Sequence, residues 1–379
     1  MARILFGVTV PMTAEAFLKP QFKALQLQGW DVHLACSPDP GFESLQKIEG
    51  ICLHAIPMKR NPSPIKDLLS LYEWHKLVRT IKPDVIVGST PKAALLAMLA
   101  GKWNKVSARV YHARGFRAEG LAGLPRKVSL LAEKITARNA SAVVCDSDSL
   151  RTELICAGIL KQSKVSVLGF GSCCGVDINH FRPASREEHL TARSNLGIND
   201  RDFVVGFVGR IAVDKGINEL MSAVKNARQK ANDIILVLVG PLEDASLGER
   251  ISANSEFISY VGSLADPRTA YWAFNCFVLP SYREGFGQSS LEAQACGIPT
   301  IVSNATGVRD SVPPNAPLPL VRVHDSRSIT ESICSLYADG SLRYESASLG
   351  REWVQNNFDS RQVVTRFNDY LIQQVKNVV

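Results

Sequence analysis

Two doubly wound α/β domains are the architecture this sequence predicts, and three observations lead there. The chain is 379 residues long, more than one ordinary core accommodates and enough for two. Short apolar runs bounded by glycine, proline or polar residues recur between segments of helical period, the mark of strands buried in a parallel sheet. The pattern fades once, between Pro183 and Asp202, where charge rises in SREEHLTARSNLGINDRD, and restarts at Phe203. We therefore expect a Rossmann-like first domain over residues 1–182, a second over 183–360, and a cleft between them. A last helix over 361–379 can pack back on the first domain.

Taken in order, Arg3 to Val10 is predicted as a strand, followed after Pro11 to Thr13 by a helix to Leu27 that Gly29 stops. Strands follow at Trp30 to Cys36 and Gly50 to Ile56, then a helix at Ile65 to Ile81 and a strand at Asp84 to Gly88. The run Lys92 to Gly101 is helical, Ala108 to His112 a strand, Pro125 to Ala140 a basic amphipathic helix, and Ser141 to Cys145 a strand. Beyond the joint, strands are expected at Phe203 to Phe207, Ile234 to Val239, Ile258 to Val261, Cys276 to Leu279 and Thr300 to Ser303, with a helix from Asn218.

The composition, 46% hydrophobic and 21% charged, is that of a soluble globular protein. No window approaches a membrane-spanning run, and the N-terminus enters a strand without a signal-peptide pattern, so a cytoplasmic chain is expected. Nine cysteines are scattered without any C-x-x-C pair, which reads as reduced core thiols. The adjacent Cys173 and Cys174 lack a second pair at ligand spacing, and no metal is expected. The net charge of +7 is concentrated in the first half: residues 1–166 carry 23 Lys and Arg against 13 Asp and Glu, the remainder 20 against 23. From Lys92 to Arg138, ten basic residues face only Glu119 and Glu133. Anionic lipid suits this stretch, and so does an ordinary solvated charged face, whereas the interleaved aromatics of a single-strand nucleic-acid surface are missing.

The stretch with the densest chemistry is Val278 to Thr300, VLPSYREGFGQSSLEAQACGIPT. Pro280 and Ser281 end an apolar strand, and Gly285 and Gly287 let the loop approach a ligand closely. A helix is expected near Ser289, with Ser289 and Glu292 forming a capping box and Gly297 and Pro299 ending it. A strand, a glycine loop and a helix N-terminus in sequence point backbone N–H groups and a positive dipole end at one spot, which suits a phosphate or sugar hydroxyl. Upstream, the strand Phe203 to Phe207 runs into GRIAVDKG, Gly209 to Gly216. It is not a P-loop, but Arg210 and Lys215 leave one strand end together and can converge on a diphosphate.

GRxxxxKG followed by PSYREGFGxSSLEAxAxGxP, with Glu284 and Glu292 in E-x7-E spacing, closely resembles the retaining nucleotide-sugar glycosyltransferases of family 4, which have the GT-B fold. VLGFGSCCGVDINHF (Val167 to Phe181) is similar to that family's domain-joining segment, and RVYHARGFRAEG (Arg109 to Gly120) to its bacterial capsule and polysaccharide branch. The resemblance implies that Arg210 and Lys215 hold the donor diphosphate beside the Gly209 amide. It gives Glu284 the sugar hydroxyls, with Gly285, Phe286, Gly287, Gln288 and Ser289 around the sugar pocket, and gives Glu292 the ribose. The backbone from Val261 through Gly262 to Leu264 would meet the base. His112 would face the sugar from the first domain, with Arg114, Arg117 and Glu119 on the acceptor side. A nucleotide sugar and a lipid-linked acceptor at the inner membrane surface would be the partners, with neither cofactor nor metal. A soluble transferase acting on a small metabolite, or a non-catalytic sugar-nucleotide binder, is the alternative.

Two patterns are set aside. Asp146-Ser147-Asp148 spells a metal-binding D-x-D but is expected to cap the helix Leu150 to Ala157, and Gly169, Gly171 and Gly175 miss dinucleotide spacing by one residue. Cys174 stands where relatives often carry Asn before Gly-Val-Asp.

Overall fold

The apolar runs pair into two all-parallel sheets in the computed structural model, which describes residues 1–59 and 61–376. The first contains β1 (Arg3–Gly7), β2 (Asp31–Cys36), β3 (Ile51–Ala55), β4 (Val85–Gly88), β5 (Ala108–Ala113), β6 (Ala142–Cys145) and β7 (Val165–Val167), in spatial order β3-β2-β1-β4-β5-β6-β7. The second contains β8 (Phe203–Val208), β9 (Ile234–Val239), β10 (Ile258–Gly262), β11 (Cys276–Leu279) and β12 (Thr300–Val302), in order β10-β9-β8-β11-β12. In both sheets the order reverses beside the first strand, the doubly wound topology in which ligands gather at the strands' carboxyl ends.

Helices cover both faces of the first sheet, and β1 shows why its strands read as unbroken apolar runs. Ile4 and Phe6 pack on one side with Phe22 and Leu25 of the helix Lys19–Leu27, while Leu5 packs on the other with Trp74 and Ala97. The same first layer includes Phe367 and Leu371 of the C-terminal helix Ser360–Lys376, which lies against the helix Lys19–Leu27. The chain from Ser360 onward therefore belongs to the first unit together with Met1–Cys174, and Gly175–Asp359 form the second. Residues 377–379 of the predicted last helix lie outside the described residues.

The division after Cys174 corrects the expected joint at 182/183. The segment from Gly175 is held by the second unit: Val176 N–H donates to Phe358 O at 2.8 Å, Gln288 Nε2 to Gly175 O at 2.8 Å and Trp272 Nε1 to Arg182 O at 2.8 Å. The charged stretch where the pattern fades contains the helix Arg186–Asn195, started by a capping box in which Ser185 Oγ accepts from Glu188 N–H. Its polarity, not an absence of structure, hid its period. None of the described helices is long and apolar enough to cross a membrane.

Candidate active site

In the second unit the site grows from two adjacent strand ends. After β8 the chain passes Gly209 and Arg210, makes a single 3-10 turn at Val213–Lys215, and turns at Gly216 into the helix Ile217–Arg228. Gly216 has φ +70°, and a Cβ there would collide with the Pro280 carbonyl, so only glycine lets this turn pass so close to the end of β11. The two loops are stitched by Tyr282 N–H donating to Asp214 O at 2.9 Å.

Lys215 Nζ forms an ion pair with Glu284 Oε1, and Ser281 Oγ donates to the same oxygen at 2.9 Å. Glu284 is positioned from the backbone as well, its N–H donating to Thr306 O at 2.8 Å. Arg210 is more open; it pairs with Glu243 and lies 3.5 Å from Asp214. Arg210 and Lys215 thus both follow β8, each paired with an acid. Gly262 closes β10, accepting through its carbonyl from Gly240 N–H at 2.8 Å.

The expected capping box at Ser289 is not formed. The helix spans Gln288–Ala295 with Gly287 as N-cap and no side-chain cap, so Ser289 lies inside the first turn. Gly287 N–H instead donates to Gly307 O at 3.1 Å, which fixes where the helix begins. Glu292 is turned toward Tyr271, whose hydroxyl lies 2.9 Å from Oε2. Burial pushes the Glu292 carboxyl from an ordinary value near 4.5 up to about 7, against the Tyr271 hydrogen bond, which pulls it down. The Phe286 side chain is buried against Phe358 and Val176, leaving its backbone with Gly285 and Gly287 to form the loop surface.

In the first unit, His112 lies one residue before the end of β5, almost fully buried, with its Nε2 2.6 Å from Asp146 Oδ1 and its ring against Phe367. His112 Nδ1 has no hydrogen-bond partner. Arg114 Nε lies 3.5 Å from Asp146 Oδ2, and its guanidinium stacks over Phe17 at 4.1 Å. Of the D-x-D run, only Ser147 caps the following helix, Asp148–Cys156, by accepting from Leu150 N–H. Asp146 holds His112 and Arg114 instead. Arg117 and Glu119 sit exposed on the short turn Arg117–Gly120.

Residues 189–353 match the family described as Glycosyl transferases group 1, and residues 14–171 the Glycosyl transferase 4-like domain. A capsular polysaccharide biosynthesis glycosyltransferase of Staphylococcus aureus, CapM, is 33% identical over 93% of this chain and 94% of its own. The chain belongs to the group 1, family 4-like glycosyltransferases. Similar too is an N,N'-diacetylbacillosaminyl-diphospho-undecaprenol alpha-1,3-N-acetylgalactosaminyltransferase of Campylobacter jejuni, 26% identical over 96% of both chains. The fold agrees with solved GT-B structures: Anabaena Alr3699/HepE in complex with UDP-glucose has a TM-score of 0.83 at 22% identity, over 98% of this chain and 100% of that one.

The first unit of this glycosyltransferase also contains a mainly apolar cleft of about 930 Å³, lined among others by Thr13, Leu96, Arg117, Leu121, Val128 and Glu133. Glu133 is the functional candidate that the sequence did not single out. Its Oε2 accepts from Tyr111 Oη at 2.6 Å, its Oε1 has no hydrogen-bond partner, and burial pushes the carboxyl up to about 7. The signal available in sequence was one acid on the inward side of a basic helix. The helix Pro64–Ile81 exposes a second apolar stripe, Ile65, Leu68, Leu69 and Tyr72 at i, i+3, i+4, i+7 spacing, and on the helix Gly123–Asn139 the cleft-lining Leu124 and Val128 are open to solvent, as is Leu131. Lys66, Lys76, Arg126 and Lys127 are exposed among them.

Proposed function

We propose that this glycosyltransferase is retaining and metal-independent, taking its sugar from a nucleotide diphosphate and passing it to a lipid-linked saccharide at the cytoplasmic membrane face. The observation that carries the donor reading is the convergence of Arg210, Lys215 and Glu284 on two loops after β8 and β11, with Glu292 on the helix that follows the second loop. An arriving diphosphate exchanges for the carboxylates now paired with Arg210 and Lys215. Freed from Lys215, Glu284 accepts from sugar hydroxyls beside the backbone of Gly285, Phe286 and Gly287, with Gln288 and Ser289 next to them. Glu292, steadied by Tyr271, takes the ribose, and Gly209 and Gly262 leave room for diphosphate and base.

In the transfer, the C1–O bond to the diphosphate breaks with its electron pair going to the phosphate oxygen, which the two cations stabilise. The acceptor hydroxyl bonds C1 on the same face and releases its proton to the leaving phosphate. This route needs cations around a leaving group, which these loops supply, rather than a free nucleophilic carboxylate. His112, steadied by Asp146, serves the transferred sugar, and Arg114, Arg117 and Glu119 serve the acceptor.

For the acceptor, the support is the apolar cleft and the exposed stripe, which suit a lipid and a membrane surface. The Campylobacter relative is named for a diphospho-undecaprenol acceptor, and the Anabaena neighbour was solved with UDP-glucose. In a transfer assay with purified protein, Arg210→Ala and Lys215→Ala should each lower turnover by about 10²–10³-fold with an unchanged circular dichroism spectrum, as loss of a charge-stabilising group does. Near wild-type turnover by both variants would overturn the assignment.

A further inference from the structure

One cluster of metal-type donors lies away from the residues assigned to transfer. In the first sheet, β2 carries Asp31 and His33 and the neighbouring edge strand β3 carries Cys52 and His54, each pair two residues apart. Two-residue spacing places both members of a pair on one side of a strand. The parallel register, His33 opposite Cys52 and Ala35 opposite His54, brings the pairs together.

One hydrogen-bonded pair lies within this cluster, and one ring nitrogen is left over. His33 Nδ1 lies 3.0 Å from His54 Nε2, and the two rings stack. On the other side, His33 Nε2 faces Asp31 Oδ2 at 3.2 Å, yet Nε2 is buried and makes no hydrogen bond. If Nδ1 carries the proton and donates it to His54, the Nε2 lone pair confronts a carboxylate oxygen, a repulsive contact unless a cation joins them. Donor atoms of Asp31, His33 and Cys52 all lie within 4.8 Å of one another. Tetrahedral zinc with bonds of about 2.0–2.3 Å needs ligand atoms roughly 3.3–3.7 Å apart, a small contraction. Arg3 approaches Asp31 only to 3.8 Å.

We propose that Asp31, His33 and Cys52 bind a zinc ion at the β2–β3 edge, with His54 orienting His33 from behind. A nitrogen, a thiolate and one carboxylate favour zinc over calcium or magnesium. The exposed side of Cys52 leaves the fourth position to water. Asp31 and His33 lie toward the start of β2, whereas His112 lies near the end of β5, so the ion takes no part in transfer. It staples the edge strand β3, whose outer side is otherwise unpaired among the described residues, to the sheet.

The full chain, stripped with a chelator and dialysed, should take up one Zn²⁺ per molecule, raise its thermal midpoint on uptake, and give a thiolate-to-metal absorption band with Co²⁺. Cys52→Ser should abolish that band and weaken zinc binding at least 10-fold. His54→Ala, which removes an orienting partner, should weaken it by about 10–100-fold while keeping one equivalent. Cys156→Ser, at an exposed cysteine elsewhere, should change neither. No stoichiometric uptake, or uptake unaffected by Cys52→Ser, would overturn the site.

Discussion

Glu292 shows how one carboxylate can be set by its surroundings rather than by its sequence spacing. S-x-x-E is a cap pattern, but the helix starts one residue before Ser289, and the acid is drawn to the Tyr271 hydroxyl. A carboxyl held near 7 in the folded chain and near 4.5 in the unfolded one binds more protons when folded throughout that interval. Its contribution therefore lowers stability progressively as pH rises from 4.5 to 7, by at most about 3 kcal/mol. Glu292→Gln, which does not titrate, should gain stability relative to wild type between pH 5 and pH 8 in urea unfolding. Parallel pH profiles for the two proteins would count against a raised value. His112 and Asp146 make a related point. Each could be read as the end of an apolar strand, but their pairing follows from β5 lying beside β6, which local patterns do not specify.

At the scale of elements, the two loops proposed to hold the donor were legible as loops because all their residues follow two strands and carry their own punctuation. Gly209, Gly216, Gly285 and Gly287 mark the turns, and the acids and cations sit between them. The cleft in the first unit was less legible, since Glu133 enters it through the rotation of the helix Gly123–Asn139, and Thr13 and Leu96 come from distant segments. The exposed stripe could be read only once the inner one was known: Trp74, Val78 and Ile81 face the core on the same helix that exposes Leu68 and Tyr72. The full chain should co-sediment with vesicles containing anionic phosphatidylglycerol at low salt and release as salt rises, because lysine and arginine supply part of the attraction. Leu68→Glu with Leu131→Glu, both at exposed positions, should abolish sedimentation without unfolding the protein. Binding unchanged in the double variant would remove these faces from membrane attachment.

At the scale of the molecule, two parallel sheets were readable from length and from strands that are apolar on both faces, as Ile4, Leu5 and Phe6 illustrate. The boundary was not readable to the residue. Hydrogen bonds to Gly175 and Arg182 decide it, and both come from partners about 90 or more positions away, Gln288 and Trp272. The return of the C-terminal helix is likewise fixed by tertiary burial of Phe367 and Leu371 rather than by local pattern. Basic charge in the first half and the acid–cation pairs in the second divide the proposed work between the units: acceptor and lipid on one, donor on the other. What joins them is the chemistry of transfer, and its stereochemical outcome is the sharpest test. The wild-type chain, given the nucleotide sugar that stabilises it best and a short-chain lipid diphosphate saccharide, should yield a product whose new linkage, by proton NMR, has the donor sugar's anomeric configuration. An inverted linkage would contradict a leaving diphosphate held by Arg210 and Lys215 and attacked from its own face.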